Sequence, residues 1–257
     1  MTSPATTTPH VALVTGANKG VGNAIARQLA AQGITVFLGA RNEERGRKAA
    51  AELSAEGHDV RFVHLDVTDG TTAGLAAQRI EEESGRLDIL VNNAGMSTPW
   101  HTPSQTPTDD VRQSFETNVL GVITVTNAML PLLRRSQAAR IVNISSVIGS
   151  LTAAAENHDP TGVFSDGEFP NTLGYPVSKA ALNAVTIMYA NELRAEGILV
   201  NAVSPNWVPT DATHHTGLLT LEQGVVLPVR MATLPDGGPT GTYTCSDDTG
   251  KGLTLPW

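Results

Sequence analysis

The sequence is constrained most strongly by a regular alternation of short apolar runs and longer helical patterns. The apolar runs, which predict six strands, cover 11–15, 34–38, 60–65, 87–92, 140–145 and 198–204. Helical patterns lie over 21–32, 43–56, 69–84, 109–135 and 175–195, the fourth of them disturbed near Pro131. Repeated strand–helix units are typical of a parallel sheet with right-handed crossovers and helices on both faces. The sequence therefore predicts an α/β fold, a doubly wound parallel sheet that forms a single domain over 11–257.

Three stretches fall outside this alternation. Residues 1–10 are rich in Thr and Pro, which predicts a disordered leader before the domain. Residues 150–174 combine Ala, Asp, Pro, Gly and Asn without a sustained period, so an inserted loop is predicted there. The tail after Pro205 carries only weak periodic signals, and 241–245 is predicted as a last edge strand.

The composition argues against several classes of partner. The formal charge is −8, so no broad attraction for nucleic acid or anionic membranes is expected, and an anionic ligand needs a local basic pocket. No apolar run approaches the ~20 residues of a membrane span, and no signal region is seen, which predicts a cytoplasmic protein. Cys245, the single cysteine, is predicted to be a passive thiol. The neighbours His214 and His215 lack zinc-ligand spacing, so no metal is predicted.

A glycine cluster lies between the first predicted strand and the first predicted helix, in Thr15-Gly16-Ala17-Asn18-Lys19-Gly20-Val21-Gly22. Glycines at such a position allow a tight turn and a close approach of the backbone to a pyrophosphate. The helix that follows offers unpaired N–H groups and the positive end of its dipole. The pattern therefore predicts a dinucleotide-binding loop.

The spacing T-G-x-x-x-G-x-G resembles the short-chain dehydrogenase/reductase family, which has a Rossmann-type fold. Five further motifs follow in the family's order over about 11–211: Asn92-Asn93-Ala94-Gly95, Thr117-Asn118-Val119, Ile144-Ser145-Ser146, Tyr175-Pro176-Val177-Ser178-Lys179 and Asn201-Ala202-Val203-Ser204-Pro205. Within the family the chain looks most like the NADPH-dependent carbonyl reductase group, through Gly-Ala-Asn-Lys-Gly, Ala40-Arg41 and Leu234-Pro235. The resemblance implies hydride transfer between a nicotinamide cofactor and a small-molecule carbonyl.

Tyr175 and Lys179 are predicted to share one face of a helix, because they are four residues apart. A nearby ammonium favours the phenolate, so we expect Lys179 to lower the pKa of Tyr175 and to make it an effective proton donor. The resemblance places Ser146 on the substrate oxygen and Asn118 on a water relay to Lys179. Adjacent strand residues face opposite ways, so only one of Ser145 and Ser146 can point at the substrate.

Cofactor choice is predicted from the end of the second strand. Ala40 offers no acceptor for the ribose hydroxyls of NAD, whereas Arg41 and Lys19 are cations suited to the 2′-phosphate of NADPH. Asp66 resembles the family's adenine contact, and Thr210 another of its cofactor contacts. The full set of predicted NADPH/NADP+ contacts is Gly16, Asn18, Lys19, Gly20, Val21, Gly22, Arg41, Asp66, Val67, Asn92, Ala94, Gly95, Tyr175, Lys179, Pro205, Val208 and Thr210.

Two positions depart from the family pattern. Asn206 stands where the family usually has glycine, and we expect it to adopt a positive φ and to add a polar group beside the reacting centre. Pro209 stands where a basic residue is common.

Four aromatic residues lie in predicted loops near the site: Trp100, Phe164, Phe169 and Trp207. They are predicted either to line an apolar substrate pocket or only to hold the loops in place.

Two other functions stay open at this point. An alcohol dehydrogenase working in the oxidative direction would use the same residues, and cofactor preference discriminates it. A non-catalytic NADP-binding sensor would not need Ser146, Tyr175 and Lys179 together, and a turnover assay separates it.

Many family members pair through two long helices, here near 109–135 and 175–195. Because the insertion is expected to cover the second of these, a monomer is predicted rather than a homo-oligomer.

Overall fold

Eight strands form one sheet in the computed structural model, which describes residues 10–164 and 169–257. In chain order they are β1 (Val11–Thr15), β2 (Thr35–Ala40), β3 (Val60–His64), β4 (Ile89–Asn92), β5 (Arg140–Ile144), β6 (Leu199–Ser204), β7 (Tyr243–Cys245) and β8 (Leu253–Thr254). The sheet order is β3-β2-β1-β4-β5-β6-β7-β8, parallel except for the β7–β8 pair. This confirms the predicted doubly wound α/β fold of a single domain. Apart from His10, the predicted leader lies outside the described residues.

Helices cover both faces of the sheet. In chain order they are α1 (Gly20–Ala30), α2 (Glu43–Ala55), α3 (Gly70–Ser84), α4 (Thr108–Phe115), α5 (Gly121–Leu133), α6 (Leu151–Glu156), α7 (Tyr175–Leu193) and α8 (Leu221–Ala232). One apolar cluster packs α1, α2 and α8 on one face, and a second packs α3, α5 and α7 on the other. The central strands are buried on both faces, which explains why their sequences read as continuous aliphatic runs.

The segment predicted as one helix over 109–135 is divided. A five-residue π-helical turn, Glu116–Leu120, separates α4 from α5, whereas α5 continues through Pro131. Pro131 lies in the last turn of α5, so little of the helix depends on its missing N–H. The widened turn is held by Asn118, whose amide bonds Met96 and Ser178. The predicted disturbance at Pro131 was therefore wrong, and the real one brings Asn118 into the site.

The regions without periodicity contain more structure than the sequence predicts. Within 150–174, α6 begins after Ser150, which accepts a hydrogen bond from the Ala153 N–H. Residues 165–168 of this loop lie outside the described residues. In the tail, α8 forms despite Gly224 and Pro228 inside it. The segment predicted as the edge strand is β7, which lies one strand inside the edge, because β8 pairs with it antiparallel.

Across 10–164 and 169–257, no helix is both long and apolar enough to cross a membrane. In the same two ranges, His, Cys, Asp and Glu side chains form no group of three that could hold a metal ion.

Candidate active site

The candidate site lies where the direction of strand order reverses. From β1 the chain proceeds to β2 and β3 on one side, and returns to β4 and β5 on the other. At such a point the loops that follow two neighbouring strands diverge and leave a crevice at the carboxyl ends of the strands. The glycine loop follows β1 at this crevice.

The glycine loop is shaped for close approach. Gly16 and Gly20 have φ values of +64° and +58°, which only glycine adopts readily. A Cβ atom on Gly16 would lie 2.8 Å from the Ala94 Cα, so that position has no room for a side chain. Lys19, the residue before α1, makes no capping side-chain hydrogen bond to the first turn. The first-turn N–H groups, which include those of Val21 and Gly22, therefore suit an anion such as a pyrophosphate.

Thr15 and Asn93, which the sequence analysis did not assign, fix this loop. The Thr15 hydroxyl accepts hydrogen bonds from the N–H groups of Asn93 and Ala94 at 3.0 and 2.9 Å. The Asn93 amide donates to the carbonyl oxygens of Thr15 and Gly16 at 2.8 and 3.3 Å. The ends of β1 and β4 are thus tied together under the loop. Both residues lie inside recognised motifs, which is the signal that could have found them.

Asn92 is placed differently from the predicted cofactor contact. Its side chain is buried and donates to the Thr126 hydroxyl and to the Asn143 amide oxygen, at 3.1 and 2.8 Å. The amide is therefore used between β4, α5 and β5, and only the main chain of Asn92 remains for a cofactor. Ala94 and Gly95 follow it and face the glycine loop and Lys179, respectively.

Arg41 and Asp66 lie together beyond the ends of β2 and β3. Arg41 is exposed, and its charge contributes to the low pKa of Asp66. Burial raises the pKa of that carboxyl, but hydrogen bonds from the Thr68 hydroxyl and N–H, helped by Arg41, hold it below its usual range. Val67 is buried against Gly121 at the start of α5. One oxygen of Asp66 therefore closes a local turn.

Lys19 is engaged elsewhere than predicted. Its ammonium forms an ion pair with Asp211, in the loop after β6, and Asp211 also contacts the His215 ring at 3.2 Å. Both partners of the Lys19 pair are more than half exposed, so the pair is weak and its lysine can exchange partners. A Cβ atom on Gly20 would lie 3.6 Å from Thr210, so this loop closes against the glycine loop.

Ser146 and Tyr175 meet at the carboxyl end of β5. Tyr175 is the first residue of α7, and its hydroxyl shares a hydrogen bond with the Ser146 side chain. Ser145 points the other way and donates to the Asn183 amide oxygen at 2.6 Å. The turn after Ser146 packs tightly on α7, since a Cβ atom on Gly149 would lie 2.9 Å from Lys179.

Lys179 and Asn118 complete the arrangement. The Lys179 ammonium is buried, donates to the Ile144 carbonyl at 2.7 Å and lies 5.4 Å from the Tyr175 ring centre. The Asn118 amide donates to the Met96 carbonyl and to the Ser178 hydroxyl, at 3.0 and 2.9 Å. Because both amide hydrogens are used, the Asn118 amide has no donor left for the predicted relay water.

The pKa of Tyr175 moves opposite to the expected direction. Burial of the hydroxyl raises it to about 12, and the hydrogen bond with Ser146 lowers it only in part. Burial also lowers the pKa of Lys179 to about 8, so the ammonium is itself disfavoured in this pocket. The expectation that Lys179 lowers the Tyr175 pKa is therefore wrong for the protein alone. Tyr175 is a neutral hydroxyl at physiological pH.

Burial of Lys179 predicts a pH-dependent stability. The pKa of Lys179 is about 8 in the folded protein, against an ordinary 10.5. The free-energy cost of burying its charge therefore decreases as pH rises from about 8 towards 10. Burying the Lys179 charge costs at most about 3 kcal/mol of folding free energy. Replacing Lys179 removes this cost but also removes its hydrogen bond to the Ile144 carbonyl, which offsets about 1 kcal/mol of the gain. Lys179→Met should therefore raise the free energy of unfolding at pH 7 by about 1–2 kcal/mol and flatten its rise above pH 8.

Urea unfolding followed by circular dichroism at several pH values measures this effect. Lys48→Met is the matched control, because Lys48 is exposed on α2 and should leave the pH dependence unchanged. A Lys179→Met protein that is less stable than wild type at pH 7, with the same pH slope, would contradict the assigned burial cost.

The segment after β6 places Pro205, Val208 and Thr210 beside the site. Asn206 has a φ of +66°, which confirms the expected positive φ at this position. Its amide donates to the Ser246 carbonyl at 2.8 Å, and its oxygen accepts from the Trp207 N–H at 2.7 Å. The side chain therefore anchors the loop to the segment after β7 and is not free beside the reacting centre.

Three of the four loop aromatics come together. The Trp100 and Phe164 rings lie 6.3 Å apart, and the Phe164 and Trp207 rings 6.5 Å apart. Phe169 is buried in the apolar cluster against which Phe164 and Tyr175 also pack. Loops after β4, β5 and β6 thus contribute one aromatic each to a wall, and its Phe164 packs against the same apolar cluster as Tyr175.

This fold and site match a known family. The short chain dehydrogenase family model matches residues 10–158, more than half of the chain. The protein therefore belongs to the short-chain dehydrogenase/reductase family and is an oxidoreductase.

Its similar proteins include named reductases. The (-)-isopiperitenone reductase of Mentha piperita is 34% identical, over 95% of this chain and 98% of that protein. The structure of salutaridine reductase from Papaver somniferum superposes with a TM-score of 0.77 at 30% identity, over 93% of this chain and 99% of that one. NADPH-bound carbonyl reductase from chicken fatty liver gives a TM-score of 0.82 at 26% identity, over 98% and 100%.

Proposed function

We propose that the protein reduces a ketone or an aldehyde to an alcohol, with NADPH as hydride source and Tyr175 as proton donor. The observation that carries this proposal is the neutral hydroxyl of Tyr175, hydrogen-bonded to Ser146 and one helical turn from Lys179. Bound NADPH supplies the hydride. Ser146 holds the carbonyl oxygen while negative charge develops on it, and Tyr175 protonates that oxygen.

The Tyr175 pKa supports reduction rather than alcohol oxidation. Reduction needs the protonated hydroxyl, which a pKa of about 12 supplies across the physiological range. Oxidation needs the phenolate as a base, and burial disfavours it here. Lys179 and a water on the Asn118 main chain return a proton to Tyr175 after each turnover.

The cofactor proposal depends on the crevice beside β1. The glycine loop leaves no room for side chains at Gly16 and presents uncapped N–H groups of α1, which fits the pyrophosphate. Arg41 and Lys19 bind the 2′-phosphate, and Lys19 leaves Asp211 to do so. We keep the other contacts predicted from the sequence as part of this proposal, with Asn92 acting through its main chain. The structure of carbonyl reductase from chicken fatty liver has the same fold and contains bound NADPH, which supports NADPH as the cofactor.

The aromatic wall of Trp100, Phe164 and Trp207 favours a carbonyl with a sizeable apolar group. Several similar proteins are named reductases, in agreement with this direction. We further propose a cytoplasmic location and a monomer, because the sequence predicts an insertion that covers the helix through which many family members pair. Light scattering at the mass of a dimer or tetramer would contradict the monomer.

A screen of NADPH oxidation across ketones, aldehydes, quinones and imines tests the proposed function. We expect turnover with ketones or aldehydes and a lower KM for those that carry an apolar ring. Absence of turnover with every carbonyl, for a protein that binds NADPH, would leave a non-catalytic role instead.

A further inference from the structure

A third apolar cluster, separate from the two that pack the main helices on the sheet, lies beside Tyr175 of the site. Its buried members, drawn from the turn after β5, the 150–174 loop, β6 and the C-terminal strands, are Val147, Ile148, Ala153, Phe169, Ala202, Tyr243, Cys245 and Leu255. Phe164, Tyr175 and Trp257 pack against it. The segment after α8 therefore packs beside Tyr175, although the catalytic and cofactor-binding motifs of the family end before it.

Tyr243 lies at the centre of this cluster. It is 1% exposed, and its hydroxyl donates a hydrogen bond to the main-chain carbonyl of Ser146. The Ser145 and Asn183 side chains also hydrogen-bond with this hydroxyl. Asn183 in turn donates to the Gly149 carbonyl at 3.1 Å. Side chains from β7 and α7 thus hold both ends of the turn that carries Ser146.

Trp257 braces Tyr243 from the other side. The two rings stack with their centres 5.3 Å apart and their planes inclined by 24°. The main-chain oxygen of Trp257 accepts hydrogen bonds from the Thr152 N–H and hydroxyl, at 2.9 and 2.7 Å. The position of Tyr243 is therefore fixed by β6, by Trp257 and, through Trp257, by α6 in the insertion.

We infer that Tyr243 is a positioning residue, which sets the peptide plane of Ser146 and so directs its hydroxyl at Tyr175. The inference rests on the proposed function, in which these two hydroxyls act on one carbonyl oxygen. Rotation of that peptide plane would break the buried hydrogen bond from the Tyr243 hydroxyl to the Ser146 carbonyl, which is costly. Burial raises the pKa of Tyr243 far above its ordinary value, so the hydroxyl remains a donor at every working pH.

Tyr243→Phe tests this, because it removes the hydroxyl and keeps the ring stacked on Trp257. We expect kcat to fall roughly tenfold, less than the ~100-fold that a 1 Å misplacement costs. The KM for NADPH should stay within about twofold, since no part of the cofactor site changes. Tyr189→Phe is the matched control: it removes a 2.7 Å hydrogen bond from α7 to Asn127, away from Ser146, and should leave kcat unchanged.

A second measurement does not depend on turnover. The chain has three tyrosines, so labelling Tyr Cζ with carbon-13 gives three resonances, of which the Tyr175 signal is the one lost in Tyr175→Phe. Its chemical shift reports the hydrogen bond of the hydroxyl. We expect the Tyr175 resonance to move in Tyr243→Phe and to stay in place in Tyr189→Phe.

The outcomes separate the two proposals. If wild type reduces carbonyls but Tyr243→Phe keeps both its kcat and its Tyr175 resonance, the positioning role is wrong and the proposed function stands. Equal loss in Tyr243→Phe and Tyr189→Phe would also overturn it, because the effect would then be general destabilisation. If wild type reduces no carbonyl, the proposed function fails, and the Tyr175 resonance alone decides whether Tyr243 orients Ser146.

Discussion

Tyr175→Phe is expected to lower kcat for carbonyl reduction by about a thousandfold, within the 10²–10⁴ range of general acid catalysis. The substitution removes the proton donor and its hydrogen bond with Ser146, but keeps the ring at the start of α7. Ser146 and the bound cofactor remain, so a small residual rate is expected from orientation alone. NADPH affinity should stay within about threefold, because the lost group is a donor to the substrate.

Single-turnover oxidation of NADPH measures the chemical step, and quenching of protein fluorescence measures NADPH binding. Tyr189→Phe again serves as the control, since it makes the same change on the same helix. A Tyr175→Phe protein with a chemical step close to that of wild type would mean that another group donates the proton.

Arg41→Ala is expected to cost NADPH about 10- to 100-fold in kcat/KM and to leave NADH within about twofold. The exposed guanidinium of Arg41 lies beside Asp66, and in the described part of the chain no carboxylate forms an ion pair with it. It is therefore available to a phosphate, to which it presents forked donors. Lys19 has a weaker effect, because it must first leave Asp211.

Steady-state kinetics with both cofactors measures this selectivity. Arg27→Ala is the matched control, because it removes the same charge from α1. Arg27 is exposed and paired with Glu56 at the end of α2, so its loss should affect neither cofactor. Equal use of NADPH and NADH by wild type, or equal loss of both in Arg41→Ala, would refute the assigned phosphate site.

The order of strands and helices followed from the sequence because each unit carries its own local pattern. What the sequence missed depends on contacts between distant residues. Gly224 weakens the pattern of α8, yet it is there because a side chain would collide with Val208 in the loop after β6. The π-helical turn forms around Asn118, whose partners are Met96 and Ser178.

The site was predicted in the same uneven way. Motif spacing correctly predicted a helix that begins at Tyr175 and carries Lys179. It did not predict the direction in which their pKa values change, because burial determines that direction. Asn206 has the expected positive φ, but its side chain donates a hydrogen bond to the Ser246 carbonyl, forty residues away. Tyr243 bonds Ser146 across 97 positions, and no local pattern could reveal it.

The central claim is that this chain transfers hydride from NADPH to a carbonyl carbon. Wild-type protein should be incubated with a ketone that the screen selects and with NADPH that carries deuterium at both C4 positions. The alcohol is then analysed by mass spectrometry and NMR. We predict one deuterium on the carbinol carbon for each NADPH consumed, and about a thousandfold slower deuterium incorporation in Tyr175→Phe. NADPH consumption that yields no deuterated alcohol would contradict the proposed reaction.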